Sequence, residues 1–118
     1  MKAPRLFGIF LGVNGSILLC EMKSENRGTE ISKILCATRF EIFRSRRGFY
    51  GSMVVCVADA YSHQTAENKN NIASYICGCD IYGDVVILRE NDVGFKCLMN
   101  ISTARKIKEE IQDEYLFS

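Results

Sequence analysis

The densest concentration of chemically useful side chains in this sequence is a run of arginines edged by aromatic rings. Arg39, Arg44, Arg46 and Arg47 fall within nine positions and are bounded by Phe40, Phe43, Phe49 and Tyr50. A guanidinium offers a planar fork of donors that matches two phosphate oxygens at once, and an aromatic face stacks on a base. The combination predicts a hold on a nucleotide-sized anion, with Arg44, Arg46 and Arg47 on phosphate and Phe49, Tyr50 or Tyr61 for stacking. The competing reading is a solvated hairpin turn whose aromatics face the core. Tyr61, Tyr75 and Tyr82 join such a pocket if the polar stretch over 60–70 folds across it, since long loops in compact domains are often binding loops.

Other reactive types are present without the spacing that chemistry needs. Cys77-Gly78-Cys79 is the tightest of the cysteine pairs. A zinc site takes four ligands, usually from two such pairs, and no second pair exists. A redox pair normally has two intervening residues at a helix N-terminus, whereas this one falls at a predicted helix end, where the dipole disfavours a thiolate. Structural thiols are therefore expected. His63 lies in the polar stretch with no third group in sequence to orient it as a base, so it is expected to be a solvated loop residue. No glycine-rich loop is followed by the Lys-Ser or Lys-Thr of a phosphate-binding loop. Glu109 and Glu110 fall on a predicted solvated helix face. No catalytic residue, metal or cofactor is expected, and the chain is read as a binding protein rather than an enzyme.

The composition supplies the frame. The 118 residues and 13.3 kDa predict one domain over 1–118. A hydrophobic fraction of 47% is enough for a core, and a charged fraction of 25% is ordinary, which excludes a disordered chain or a coiled coil. Fifteen basic against fourteen acidic residues leave a net charge of +1, too little for a global field on duplex nucleic acid. Single-stranded nucleic acid stays open through the same arginine turn. Met1-Lys2-Ala3-Pro4-Arg5 precedes an apolar run ending at Leu18-Leu19-Cys20, in the manner of a signal peptide. Asn14-Gly15 breaks that run and bulky Leu19 occupies the place of a small cleavage residue, so a cytoplasmic protein with reduced, mostly buried thiols is expected. The longest apolar stretch is too short and glycine-broken to span a membrane, so no membrane partner is expected.

The elements that must position these side chains are readable from periodicity. Leu6–Val13 and Ser16–Met22 flank Asn14-Gly15, which predicts a hairpin with a type I′ turn. That register puts Phe7, Ile9, Leu11 and Val13 on one face with Leu18, Cys20 and Met22, and Phe10, Ile17 and Leu19 on the other. Gly8 and Gly12 read as packing relief beside Phe10, or else as room for a ligand or another backbone. After a polar turn over Lys23–Gly28, Thr29 is expected to cap a short helix carrying Ile31, Ile34 and Leu35. Strands are predicted over Thr38–Ser45 and Phe49–Asp59, around a basic turn at Arg44–Gly48. Asn71 is expected to cap a helix through Ile76 that Gly78 stops, followed by strands over Ile81–Glu90 and Phe95–Met99. Ser102 is expected to cap a last helix with Ala104, Ile107, Ile111 and Tyr115 as its apolar stripe and Arg105–Glu109 and Lys106–Glu110 pairs on its charged face. The order ββ-α-ββ-α-ββ-α predicts an α+β fold. Its sheet is mainly antiparallel with an N-terminal hairpin, and two short helices and a C-terminal amphipathic helix gather against one face.

From about Phe40 onward the chain resembles an uncharacterised family of small α+β domains found in phages and mobile elements. The residues that carry the resemblance are Met53-Val54-Val55-Cys56, the polar segment ending Asn70-Asn71-Ile72-Ala73, the short helix closed by Gly78, and Ile81-Tyr82-Gly83-Asp84-Val85-Val86-Ile87-Leu88 before a terminal helix. The resemblance implies the fold and a phage origin, and it brings no catalytic residues. Phage domains of this size commonly act against host defence. The expectation is thus a protein that sequesters a small phosphate-bearing ligand, such as a nucleotide-derived immune signal, in the host cytoplasm. A homo-oligomer is expected from open sheet edges. The alternative is an inhibitor that binds a host protein and takes no small ligand.

Overall fold

In the computed structural model, residues 5–22, 27–91, 93–94 and 96–117 are described. Strands β1 (Leu6–Leu11) and β2 (Ile17–Met22) precede helix α1 (Arg27–Leu35), then β3 (Phe40–Arg44), β4 (Val54–Asp59) and α2 (Asn71–Cys77). Strands β5 (Val85–Glu90) and β6 (Lys96–Cys97) follow, and α3 (Ile101–Phe117) ends the chain. Every described strand pairing is antiparallel, in the order β2-β1-β5-β4-β3 with β6 beside β5. This is an α+β fold, with the element order that the hydrophobic pattern predicts. Past β6 the chain crosses to β1, where Phe7 and Met99 exchange both backbone hydrogen bonds at 2.7 and 2.8 Å. No helix among the described residues is long and apolar enough to cross a membrane.

The strands β4 and β5 are valine- and isoleucine-rich because both of their faces are covered. Val54, Cys56, Ala58, Val85 and Ile87 point to one side, where they pack with Phe7, Ile9 and Leu11 of β1 and with Ile72, Ala73, Ile76, Ala104, Ile107 and Ile111 of α2 and α3. Val55, Val57, Val86 and Leu88 point to the other and meet Ile31, Ile34 and Leu35 of α1. The three helices are therefore not gathered on one face. The alternation along β4 and β5 leaves two apolar faces to bury, and α1 takes the second.

The hairpin register is one residue away from the expected one. Leu11 pairs with Ile17, Ile9 with Leu19 and Leu6 with Met22. The loop is three residues, with Gly12 bonded to both Gly15 and Ser16 and with Gly15 at φ +92, so the turn is a type I turn closed by a left-handed glycine. Asn14 is not in the left-handed region; its side chain accepts from the Ser16 amide at 3.0 Å instead. A slip of one residue exchanges faces. Ile17 and Leu19 consequently join the α2–α3 side, whereas Cys20 and Met22 join the α1 side. A type I′ turn does occur, at Tyr50-Gly51 (φ 47 and +76), where Phe49 and Ser52 exchange two hydrogen bonds. It takes up residues expected in the following strand, just as the turn at Gly83 (φ +81) takes up the expected start of β5. Gly8 relieves crowding, since a Cβ there would sit 2.9 Å from Val86 and 3.1 Å from Met22. Gly12 does so beside Phe10 and the Asn14 side chain.

Two caps lie one or two residues from expectation, and a third expected cap falls inside its helix. Asn70, not Asn71, caps α2 by accepting from the Ala73 amide at 3.1 Å. Asn100, not Ser102, caps α3 by accepting from the Thr103 amide at 2.8 Å. Thr29 lies inside α1, which has already begun at Arg27, and residues 23–26 of the expected turn before it lie outside the described residues, as does Phe95. Gly78 ends α2 as expected, at φ 72 with its amide on the Ser74 carbonyl at 2.8 Å.

Candidate functional site

The arginine turn lies where the β3–β4 connection meets the end of α2 and the solvent side of α3. Ser45 anchors it: its hydroxyl donates to the Arg47 carbonyl at 2.7 Å and accepts from the Val54 amide at 3.2 Å. The Arg46 amide donates to the Ile76 carbonyl at 2.9 Å, which ties the turn to α2. Between turn and helices lies an open cleft of about 270 Å³ lined by Arg46, Arg47, Phe49, Tyr75, Ile76 and Glu114.

The three predicted arginines have three different circumstances. Arg44 pairs its Nε with Glu90 at 2.9 Å on the α1 side of the sheet and does not line the cleft. Arg47 is held by Glu110 at 3.0 Å and by Glu114, and it lies 4.1 Å over the Phe49 ring. Its charge is thus already answered by two carboxylates. Arg46 is exposed and pairs with no carboxylate among the described residues. The side chain of Arg46 runs so close over Gly78 that a Cβ there would come within 2.4 Å of its Cδ. Glycine at 78 therefore serves both the left-handed helix stop and the placement of Arg46. Gly78→Ala is expected to cost about 1–2 kcal/mol, from the positive φ and the clash together. A thermal melt checks the loss, and any ligand affinity that depends on Arg46 should fall in the same variant.

The aromatics divide in the same way. Phe49 is only 2% exposed, belongs to the core, and has a ring face covered by Arg47, so it is a floor rather than a stacking platform. Tyr50 is exposed, but Lys106 donates to its hydroxyl at 2.6 Å and lies 4.6 Å from its ring centre, while its amide donates to Glu110 at 2.6 Å. Tyr61 is 67% exposed at the far end of β4, about 17 Å along the strand from the arginine turn, and it does not line the cleft. Tyr75 is the ring that reaches the cleft. Its hydroxyl donates to Glu114 at 3.3 Å, and its ring stands edge-on to Tyr115 at 6.4 Å. A tyrosine one turn before a glycine-stopped helix end, with apolar neighbours on its other faces, was the available signal.

Glu110 and Glu114 are the residues that sequence reading missed. The expected Lys106–Glu110 pair along α3 gives way to contacts with the turn, Lys106 to Tyr50 and Glu110 to Arg47 and the Tyr50 amide. Their spacing of four residues puts both carboxylates on one helix face, and the turn covers that face in part, leaving both side chains half-buried. The loop over 60–70 does not close over the cleft. Asn68 donates to the His63 carbonyl at 2.8 Å, Gly83 donates to the Asn68 carbonyl at 2.7 Å, and His63 is exposed. Tyr82 lines a separate, nearly filled hollow of about 30 Å³ with Glu41, Asp59 and Asp80.

On the core side of the same helix end, Cys77 contacts Cys56 rather than Cys79, with the two sulfurs 3.6 Å apart. The hydrogen bond between them, with burial, pushes the Cys56 thiol well above its ordinary range, and the same hydrogen bond draws Cys77 below it against the opposing effect of burial. Cys79 is exposed, with its thiol raised by partial desolvation and the neighbouring Cys77. Among the described residues no group of three His, Cys, Asp or Glu side chains is arranged to hold a metal.

The chain matches no family model, no curated protein and no solved structure.

Proposed function

We propose that this protein binds a small phosphate-bearing ligand, of the size of a nucleotide, in the cleft between the arginine turn, α2 and α3, and does not turn it over. The observation that carries this reading is Arg46: an exposed guanidinium with no carboxylate partner among the described residues, its stem lying close over Gly78 beside a cleft of about 270 Å³. A guanidinium is a planar fork whose own geometry matches phosphate oxygens, so it loses little freedom per hydrogen bond formed. Tyr75 supplies the aromatic wall, and Arg47 supplies a second cation once a phosphate competes with Glu110 and Glu114 for it. The cleft volume is just below the usual range of small-ligand sites, about 300–1,000 Å³, which favours a single nucleotide unit over a larger polyanion. A nucleotide-derived immune signal captured by a phage protein fits this chemistry.

The test is calorimetric titration with a panel of mono-, cyclic and ADP-ribose-type nucleotides, followed by heat release of the ligand and chromatography. Tight binding with intact ligand recovered is expected. No heat and no stabilisation across the panel overturns the reading, and recovery of altered ligand makes the protein an enzyme.

A second reading, an inhibitor of a host protein, is favoured by the α1 side of the sheet. Leu18, Phe10, Val86, Val57 and Ile42 are directly paired across five strands, and the two ends of the row, Leu18 and Ile42, are each 54% exposed. Those ends lie on the edge strands β2 and β3, so a homo-oligomer belongs with this reading too. Light scattering separates them: a mass of one chain leaves a foreign partner, and a multiple of it makes the row a self-interface.

A further inference from the structure

We propose that Cys56 and Cys77 form a reversible disulfide when the protein meets hydrogen peroxide, locking the end of α2 onto the centre of the sheet. Cys56 lies on β4 and is fully buried on the α2–α3 side, and Cys77 is the last residue of α2 and partly exposed. Their sulfurs are 3.6 Å apart, so a bond of about 2.05 Å asks for a further approach of about 1.5 Å. Cys79 lies beyond the left-handed turn at Gly78 and lines an outer groove with Lys69, Asn71 and Asp80. The pair that sequence spacing suggests is thus not the pair that the fold places in contact.

Access sets the order of events. The Cys77 thiolate, the more exposed and the more acidic of the two, attacks a peroxide oxygen; an S–O bond forms, the O–O bond breaks and hydroxide leaves. Cys56 then attacks the Cys77 sulfur, the S–O bond breaks, and the departing hydroxide leaves as water with the Cys56 proton. Two thiols and one peroxide give one disulfide and two waters. The bond would close at the residue next to Gly78, on which Arg46 rests, so it acts on the backbone beneath the cleft.

The experiment needs no ligand, so it stands apart from the proposed binding site. The reduced full-length chain is treated with one equivalent of hydrogen peroxide, denatured, alkylated with N-ethylmaleimide and cut with trypsin without reduction. Cleavage after Arg47, Lys69 and Arg89 places Cys56 in 48–69 and both Cys77 and Cys79 in 70–89. The expected result is a 48–69/70–89 linked peptide whose fragments put the bond at Cys77. Uptake of alkylating agent should fall from six cysteines to four and recover with dithiothreitol. A bond at Cys79, or a Cys56 still fully alkylated after Cys36 and Cys79 have been oxidised, overturns the proposal. In Cys56→Ala, Cys77 should instead accumulate as a dimedone-trapped sulfenic acid. The linked peptide from the natural chain decides the question if that variant does not fold.

Discussion

Asn70→Ala is expected to cost about 3–5 kcal/mol, a large share of the about 5–15 kcal/mol that stabilises a typical domain. Asn70 is wholly buried, and each of its side-chain groups is used. Its Oδ1 accepts from the Ala73 amide at 3.1 Å, and its Nδ2 donates to the Leu11 carbonyl at 3.0 Å and the Gly83 carbonyl at 2.9 Å. One side chain thereby joins the end of β1, the turn before β5 and the start of α2. Truncation leaves an amide and two carbonyls without this partner in a dry interior, and each unsatisfied group costs about 1–3 kcal/mol. The loss should appear in urea melts as a lower midpoint with an unchanged slope, and as a fall of at least about 10 °C in Tm. Asn70→Asp separates the two halves of the network. The carboxylate keeps the helix cap but has no proton for the two carbonyls, which it faces with like partial charge. A loss as large as that of Ala is expected; full stability in the Asp variant would show that the cap alone matters.

Arg46→Ala is expected to weaken nucleotide binding about 10–100-fold, the value of a charge-assisted hydrogen bond or two, while moving Tm by no more than about 2 °C. Arg46 has no charge partner to lose among the described residues, and its stem rests on an exposed turn. Arg47→Ala should cost less affinity and more stability, because its charge is already shared with two carboxylates. It removes the ion pairs to Glu110 and Glu114 and the stack on Phe49, at a cost to folding of about 1 kcal/mol after allowing for solvent screening. Equal effects of the two variants on affinity and on stability would remove the distinction and with it the case for Arg46 as the grip.

The positions of the helices and strands were open to sequence reading, because burial periodicity and the turn residues Gly78 and Asn14-Gly15 speak locally. The register of the first hairpin was not. Asn-Gly suits a two-residue turn, yet a three-residue loop lets Ile17 and Leu19 reach the α2–α3 core and leaves Cys20 and Met22 for α1. Both faces of β2 are apolar enough to accept either register, so the choice fell to packing. The caps moved for a similar reason. Asn70 and Asn71 are equivalent as local N-caps, and only Asn70 also meets the carbonyls of Leu11 and Gly83.

Sequence alone determined the fold class, the order of its elements, the glycine stop of α2 and the apolar stripe of α3, all of which rest on interactions within a few residues. It also marked the arginine turn as the place where cations and aromatics meet. Only tertiary structure decided what each of those side chains does, because the deciding partners are distant in sequence. Glu110 and Glu114 on α3 take Arg47, Glu90 on β5 takes Arg44, and the core takes Phe49, while Arg46 is left exposed beside Tyr75. A charge is free or spent according to what faces it across the fold, and hydrophobic patterning carries no information about which carboxylate that is.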